Sequence, residues 1–208
     1  MIERSILKSN AKNQLRGNWW IAIAAFLISE VICGIISFIG SITEAEDIQA
    51  IGGIVALIIS GPMCYGICKF ILNIVRGENA SISDIFSGFD GKVIIKSFVI
   101  MILTTIITSI GYLILIVPGI ILSIMFSQSF FILVDNNELS AIDCMKLSCK
   151  IIRGNKMYLF KIYLSFLGWF ILGILTLGIA FLWINPYFSN VLGNFYEELK
   201  EGSNIISD

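Results

Sequence analysis

The sequence predicts an all-α integral membrane protein, a bundle of six transmembrane helices built as three repeats of an interfacial helix followed by a hairpin. Three observations carry this. Of 208 residues, 57% are apolar and only 14% charged, with a mean hydropathy of +0.89, whereas soluble domains carry about a quarter charged residues. The charges are segregated between long uncharged runs, and all three prolines, Pro62, Pro118 and Pro186, fall in the even-numbered of the six expected spans. A chain of this size cannot hide so much apolar surface in one water-soluble core, so lipid must be its solvent. Fourteen basic residues against fifteen acidic ones exclude a basic nucleic-acid-binding domain, and the apolar content excludes a disordered chain.

The uncharged runs are 17–29 and 31–43, parted only by Glu30, then 48–68, 97–134 and 162–196. About 20 helical residues cross the roughly 30 Å hydrocarbon core, so the two longest runs each read as a hairpin. Pro118-Gly119 breaks the first and Thr176-Leu177-Gly178 the second. The expected spans are 19–42, 48–70, 96–116, 118–135, 157–176 and 179–197. The first is too long for a cleaved signal peptide, and no small-x-small site follows it. No polar segment is long enough for a soluble domain, so 1–208 reads as a single transmembrane domain.

Lys and Arg favour the cytoplasmic side. Arg4, Lys8, Lys12 and Arg16 precede span 1; Lys69, Arg76, Lys92 and Lys96 separate spans 2 and 3; Lys146, Lys150, Arg153, Lys156 and Lys161 separate spans 4 and 5 or enter span 5; Lys200 follows span 6. Six spans put all of them on one face, with Glu44, Glu46 and Asp47 opposite. One kinked helix over 97–134 would push Lys146 to Lys161 outside. The expectation is a multi-pass protein of the cell membrane with both termini cytoplasmic.

Each hairpin follows a segment of amphipathic spacing, near 2–16, 81–91 and 140–153. Ile82, Ile85, Phe86 and Phe89 fall at i, i+3, i+4 and i+7, and Leu139, Ile142, Met145, Cys149 and Ile152 recur every three or four residues. Ser81-x-x-Asp84 and Ser140-x-x-Asp143 read as capping boxes. Arg16-Gly17-Asn18 and Arg153-Gly154-Asn155 hold equivalent places, with Arg76-Gly77-Glu78 a looser counterpart. Such helices either lie in the head-group plane, where Arg16, Arg76, Lys146, Lys150, Arg153 and Lys156 are candidate lipid head-group contacts, or pack on the ends of the spans.

The chain resembles a bacterial family of small polytopic membrane proteins, the domain-of-unknown-function family number 975. The resemblance rests on Leu15-Arg16-Gly17-Asn18-Trp19, Gly61-Pro62 with Gly66 and Phe70, Asp84-Ile85-Phe86-Ser87-Gly88-Phe89, and Val117-Pro118-Gly119-Ile120-Ile121. It continues through Asp135-Asn136-Asn137-Glu138-Leu139-Ser140-Ala141, Phe166-Leu167-Gly168-Trp169, Leu175-Thr176-Leu177-Gly178-Ile179, Pro186-Tyr187 and Phe195-Tyr196. The family is more distantly similar to the membrane portion of some bacterial glycerophosphodiester phosphodiesterases. The resemblance implies a six-span fold and brings no catalytic residues.

Histidine is absent, which removes the commonest general base and metal ligand. No serine has an evident base partner in sequence, so no catalytic, cofactor-binding or metal residue is expected. Cys64 and Cys68 lie one turn apart, but Cys33, Cys64, Cys68, Cys144 and Cys149 read as buried thiols in a reducing cytoplasm. Glu30 is the sharp feature, an acid about eleven residues into span 1, where charge costs about 2.5 to 3.5 kcal/mol. It is expected to be protonated or hydrogen-bonded to another span, with Thr104, Thr105, Thr108, Ser109 and Asn185 as candidate partners. Pro62, Pro118 and Pro186 are expected helix breaks, either hinges or simple starts and kinks of the return helices. Trp19, Trp20, Trp169, Trp183 and Tyr112 read as interfacial or packing aromatics. Asp135, Glu138 and Asp143 read with the basic set as a solvated face.

The function these features favour is non-enzymatic contact with membrane lipid, a membrane protein partner or a homo-oligomer mate, with no nucleic acid. One alternative is a small transporter or exporter with Glu30 in its path. The other is a membrane partner of a separate phosphodiester or lipid enzyme.

Overall fold

A computed structural model describes residues 3–42 and 46–202, without the side chains of 36, 37, 39–42 and 46–51. The described residues form nine α-helices and one 3₁₀ helix, with no strand. The helices are α1 (Arg4–Gln14), α2 (Trp19–Ile42), α3 (Glu46–Val75), α4 (Ile94–Ile114), α5 (Ile116–Phe126), α6 (Ser129–Asp135), α7 (Ala141–Ile152), α8 (Lys156–Leu175) and α9 (Phe181–Gly202). The 3₁₀ helix, Ile82–Phe89, lies between α3 and α4. Four stretches are long and apolar enough to cross a membrane: Gly52–Val75, Ile94–Ile114, Ile116–Asp135 and Lys156–Leu175. A fifth arises if α1 and the described part of α2, which meet at 93°, count as one bent span.

The core forms where α3 meets α9, around the fully buried Phe70, Ile71, Leu72, Val191, Phe195 and Tyr196. α9 touches α1, α2, α3, α7 and α8. α9 is not among the apolar stretches, and its Asn190 and Asn194 are buried inside the protein.

α1 buries Leu7, Ala11 and Leu15 and lies along α9. Near its middle the Tyr187 hydroxyl donates to the Lys8 carbonyl at 3.3 Å, and at its end Gln14 and Asn194 exchange hydrogen bonds of 3.1 and 2.6 Å. Its apolar stripe is therefore met by protein. Lys8 is carried up beside the aromatic middle of the α8/α9 hairpin, 4.5 Å from the Phe166 ring centroid, with its ammonium donating to the Ser165 carbonyl at 3.4 Å.

Helical spacing over 82–89 led to an expected α-helix, and the chain instead winds as a 3₁₀ helix there. The reason is close packing on α3. A Cβ on Gly66 would lie 1.8 Å from the Ile85 carbonyl oxygen, and one on Gly88 2.0 Å from that of Pro62, so backbone rests on backbone and the tighter winding fits the notch. The Ser81 amide donates to Asp84 Oδ2 at 2.8 Å, and Asn73 reaches the same oxygen at 3.0 Å. The capping box at the start is thus formed.

The prolines behave differently from the expectation of three breaks. Pro118 sits in the first turn of α5, after an extended Leu115 that separates α4 from α5, where proline's missing N–H costs nothing. Pro62 and Pro186 lie inside α3 and α9, which continue through them. Packing holds those helices together, the 3₁₀ helix against Pro62 and burial around Pro186. Gly17, Gly77 and Gly154, each following an arginine, have φ of 91°, 70° and 94°, the left-handed geometry that ends a helix and favours glycine.

Candidate functional site

α7 starts where Ser140 Oγ accepts the Asp143 amide at 3.2 Å and donates to Asp143 Oδ2 at 2.6 Å. One face buries Cys144, Met145, Ser148, Ile151 and Ile152. Ser148 seats it on the turn between α5 and α6, donating to the Met125 carbonyl at 2.7 Å and accepting the Gln128 amide at 3.3 Å. The opposite face then presents Lys146, Lys150 and Arg153 to the outside, because positions i, i+4 and i+7 share one side of a helix. The Gly154 turn brings Lys156, at the start of α8, round to join them.

These four cations, with Met125 and Cys149, line one cleft of about 200 Å³. Among the described residues no carboxylate lines it. Lys146 lies 4.0 Å from Asp143, with both side chains largely exposed, a contact worth little in stability. Two apolar grooves flank the cleft. Val117, Ile120, Ile121 and Phe160 line one of about 250 Å³ that shares Lys156. Leu103, Ile107, Phe126 and Ile142 line the other, about 410 Å³, which shares Lys146 and Cys149. Chemically, the cleft can hold a multivalent anion with apolar material on either side. Burial pushes the Cys149 thiol up, against the opposing pull of Lys156 and Arg153. Burial raises Cys144, behind it, to about 11, so neither thiol is a ready nucleophile.

The other expected head-group contacts lie elsewhere. Arg16 is exposed at the bend between α1 and α2 and does not line the cleft. Arg76 is taken up within the protein, its Nη2 2.6 Å from both Asp135 Oδ1 and Glu197 Oε1. Partial burial opposes its charge, but the two carboxylates prevail and its pKa is raised. Asp135, expected on a solvated face, has a side chain only 6% exposed. It also accepts from Lys200 at 2.6 Å and from the Tyr196 hydroxyl at 2.9 Å. This knot, and the Gln14, Asn190 and Asn194 cluster that ties α1 to α9, escaped sequence reasoning. The available signal for the knot was the position of Arg76 and Asp135 at helix ends, with Glu197 and Lys200 one turn apart.

Glu30 receives a 2.7 Å hydrogen bond from Asn185 Nδ2 of α9, so one of the five candidate partners is selected. Thr108 turns back to the carbonyls of Thr104 and Thr105 on its own helix, at 2.6 and 3.2 Å. Apart from that bond, Glu30 lies exposed on the surface of the isolated chain. None of the five cysteines forms a disulfide with another.

No curated protein and no solved structure matches the chain, which leaves the more distant likeness to phosphodiesterase membrane portions without support. A family does match, over residues 1–121 and 112–203. With all but the last few residues covered, the chain belongs to the family described as Protein of unknown function (DUF975).

Proposed function

We propose that this is a non-enzymatic, multi-pass protein of the cell membrane that holds an anionic phospholipid, head group in the Lys146, Lys150, Arg153 and Lys156 cleft and acyl chains in the flanking grooves. The observation that carries this reading is the convergence of four cations, with no carboxylate, on a cleft bounded on two sides by apolar grooves. Each basic residue near an anionic lipid surface is worth about 1 kcal/mol. The membrane protein crosses six times, with α9 as the sixth span shielded from lipid by α1, α2, α3 and α8. The three Arg-Gly turns and the two Ser-x-x-Asp starts support three repeats, with the termini and the cleft on the cytoplasmic side. Glu30, bonded to Asn185, joins α2 to α9 as a structural contact rather than a proton carrier.

The test is native mass spectrometry of protein released from nanodiscs that mix phosphatidylglycerol with phosphatidylcholine. The parent chain is expected to retain phosphatidylglycerol selectively. Lys150→Gln should weaken retention about fivefold, and removal of all four charges should abolish the selectivity. Equal retention by the parent and the four-charge variant would overturn the reading.

A further inference from the structure

A second cavity, of about 240 Å³, shares no residue with the α7 cleft. Trp19 of α2, Trp169 of α8 and Trp183, Ile184 and Tyr187 of α9 line it, with Lys12 of α1 as its one charged residue. It gathers three of the four tryptophans in the chain; the fourth, Trp20, is 81% exposed. Four helices from opposite ends of the sequence therefore converge on one aromatic chamber. Lys8, one turn before Lys12, is already engaged by Phe166 and the Ser165 carbonyl. Lys12 is exposed, and among the described residues no carboxylate lies within ion-pair distance of it.

We propose that this chamber binds a single-chain anionic amphiphile, a long-chain carboxylate, with its head on Lys12 and its chain among the indoles. Charge complementarity selects the anion. Indole faces also attract cations, but Lys12 among them repels one. A lone cation suits a monoanionic carboxylate, whereas a phosphate finds four cations in the α7 cleft. The lining is otherwise apolar, as a site that takes up an alkyl chain requires. The site is independent of the phospholipid cleft and stands or falls separately.

Bromine quenches nearby indole fluorescence, so the chamber reports on itself. The protein carries Trp20→Phe to remove the exposed indole and sits in phosphatidylcholine nanodiscs under mildly alkaline conditions. Dibromostearate is expected to quench saturably, while its methyl ester gives only the unsaturable background of partitioned lipid. Lys12→Gln should raise the half-saturating concentration about tenfold, and Lys12→Arg should restore it, which separates loss of the charge from loss of the fold. Equal quenching by acid and ester, or a Lys12→Gln titration that overlays the parent, would overturn the assignment.

Discussion

Both Ile82–Phe89 and α7 begin at a Ser-x-x-Asp box and carry apolar residues at helical spacing, yet one winds as a short 3₁₀ helix without a cation and the other as three α-helical turns with a basic outer face. Their starts are alike, so the difference comes from what each packs on. The first meets a glycine notch in α3, where backbones touch and no side chain separates them. The second meets a helix turn whose free amide and carbonyl are filled by Ser148. Glycine contact freezes the first segment into a strut. A side-chain seat at ordinary helix spacing leaves the second with a free outer face, and that face carries the cleft.

The largest expected effect is Gly66→Ala. Its Cβ would meet the Ile85 carbonyl, a backbone atom that cannot swing aside, so a loss of about 3 kcal/mol is expected, read as a lowered thermal midpoint in detergent. A loss below about 1 kcal/mol would remove backbone contact as the cause of the 3₁₀ winding. Next is Ser148→Ala, which strands the buried Gln128 amide and should cost about 2 kcal/mol, with anionic-lipid selectivity falling alongside. If selectivity survives that loss, the seat does not position the cleft. Ser140→Ala removes the α7 cap and should cost about 1 kcal/mol. The smallest change is chemical: at neutral pH a maleimide should label Cys149 slowly and Cys144 not at all, since Cys144 is fully buried with its thiol raised to about 11. Phosphatidylglycerol should slow labelling of Cys149 further, because that sulfur borders both the cleft and a groove.

Much of this was legible beforehand. Apolar runs located the helices, the capping boxes located two starts, and 146, 150 and 153 share a face by helical arithmetic alone. The 3₁₀ winding was not legible, because it depends on Gly66 in a different helix, and spacing within 82–89 is silent about what lies opposite. The sequence ranked Arg76 with Arg153, both beside a glycine at a helix end. The arrival of α6 and then of α9, more than a hundred residues later, separates them by bringing Asp135 and Glu197 to Arg76. The centrality of α9 was hidden for the same reason, since Asn190 and Asn194 read as polar interruptions until their burial is seen. For Glu30 the chain offered five partners of suitable chemistry, and choosing Asn185 required the crossing of α2 and α9.

The hairpin between α8 and α9 turns through Leu177 at φ 53°, a geometry that costs a non-glycine residue about 1 to 2 kcal/mol. The side chain is 94% exposed and returns none of that cost through packing within the chain. Leu177→Gly should therefore make the isolated molecule more thermostable. The strained leucine is a small reserve of unspent stability, held at a tip that offers one bare aliphatic group to its surroundings.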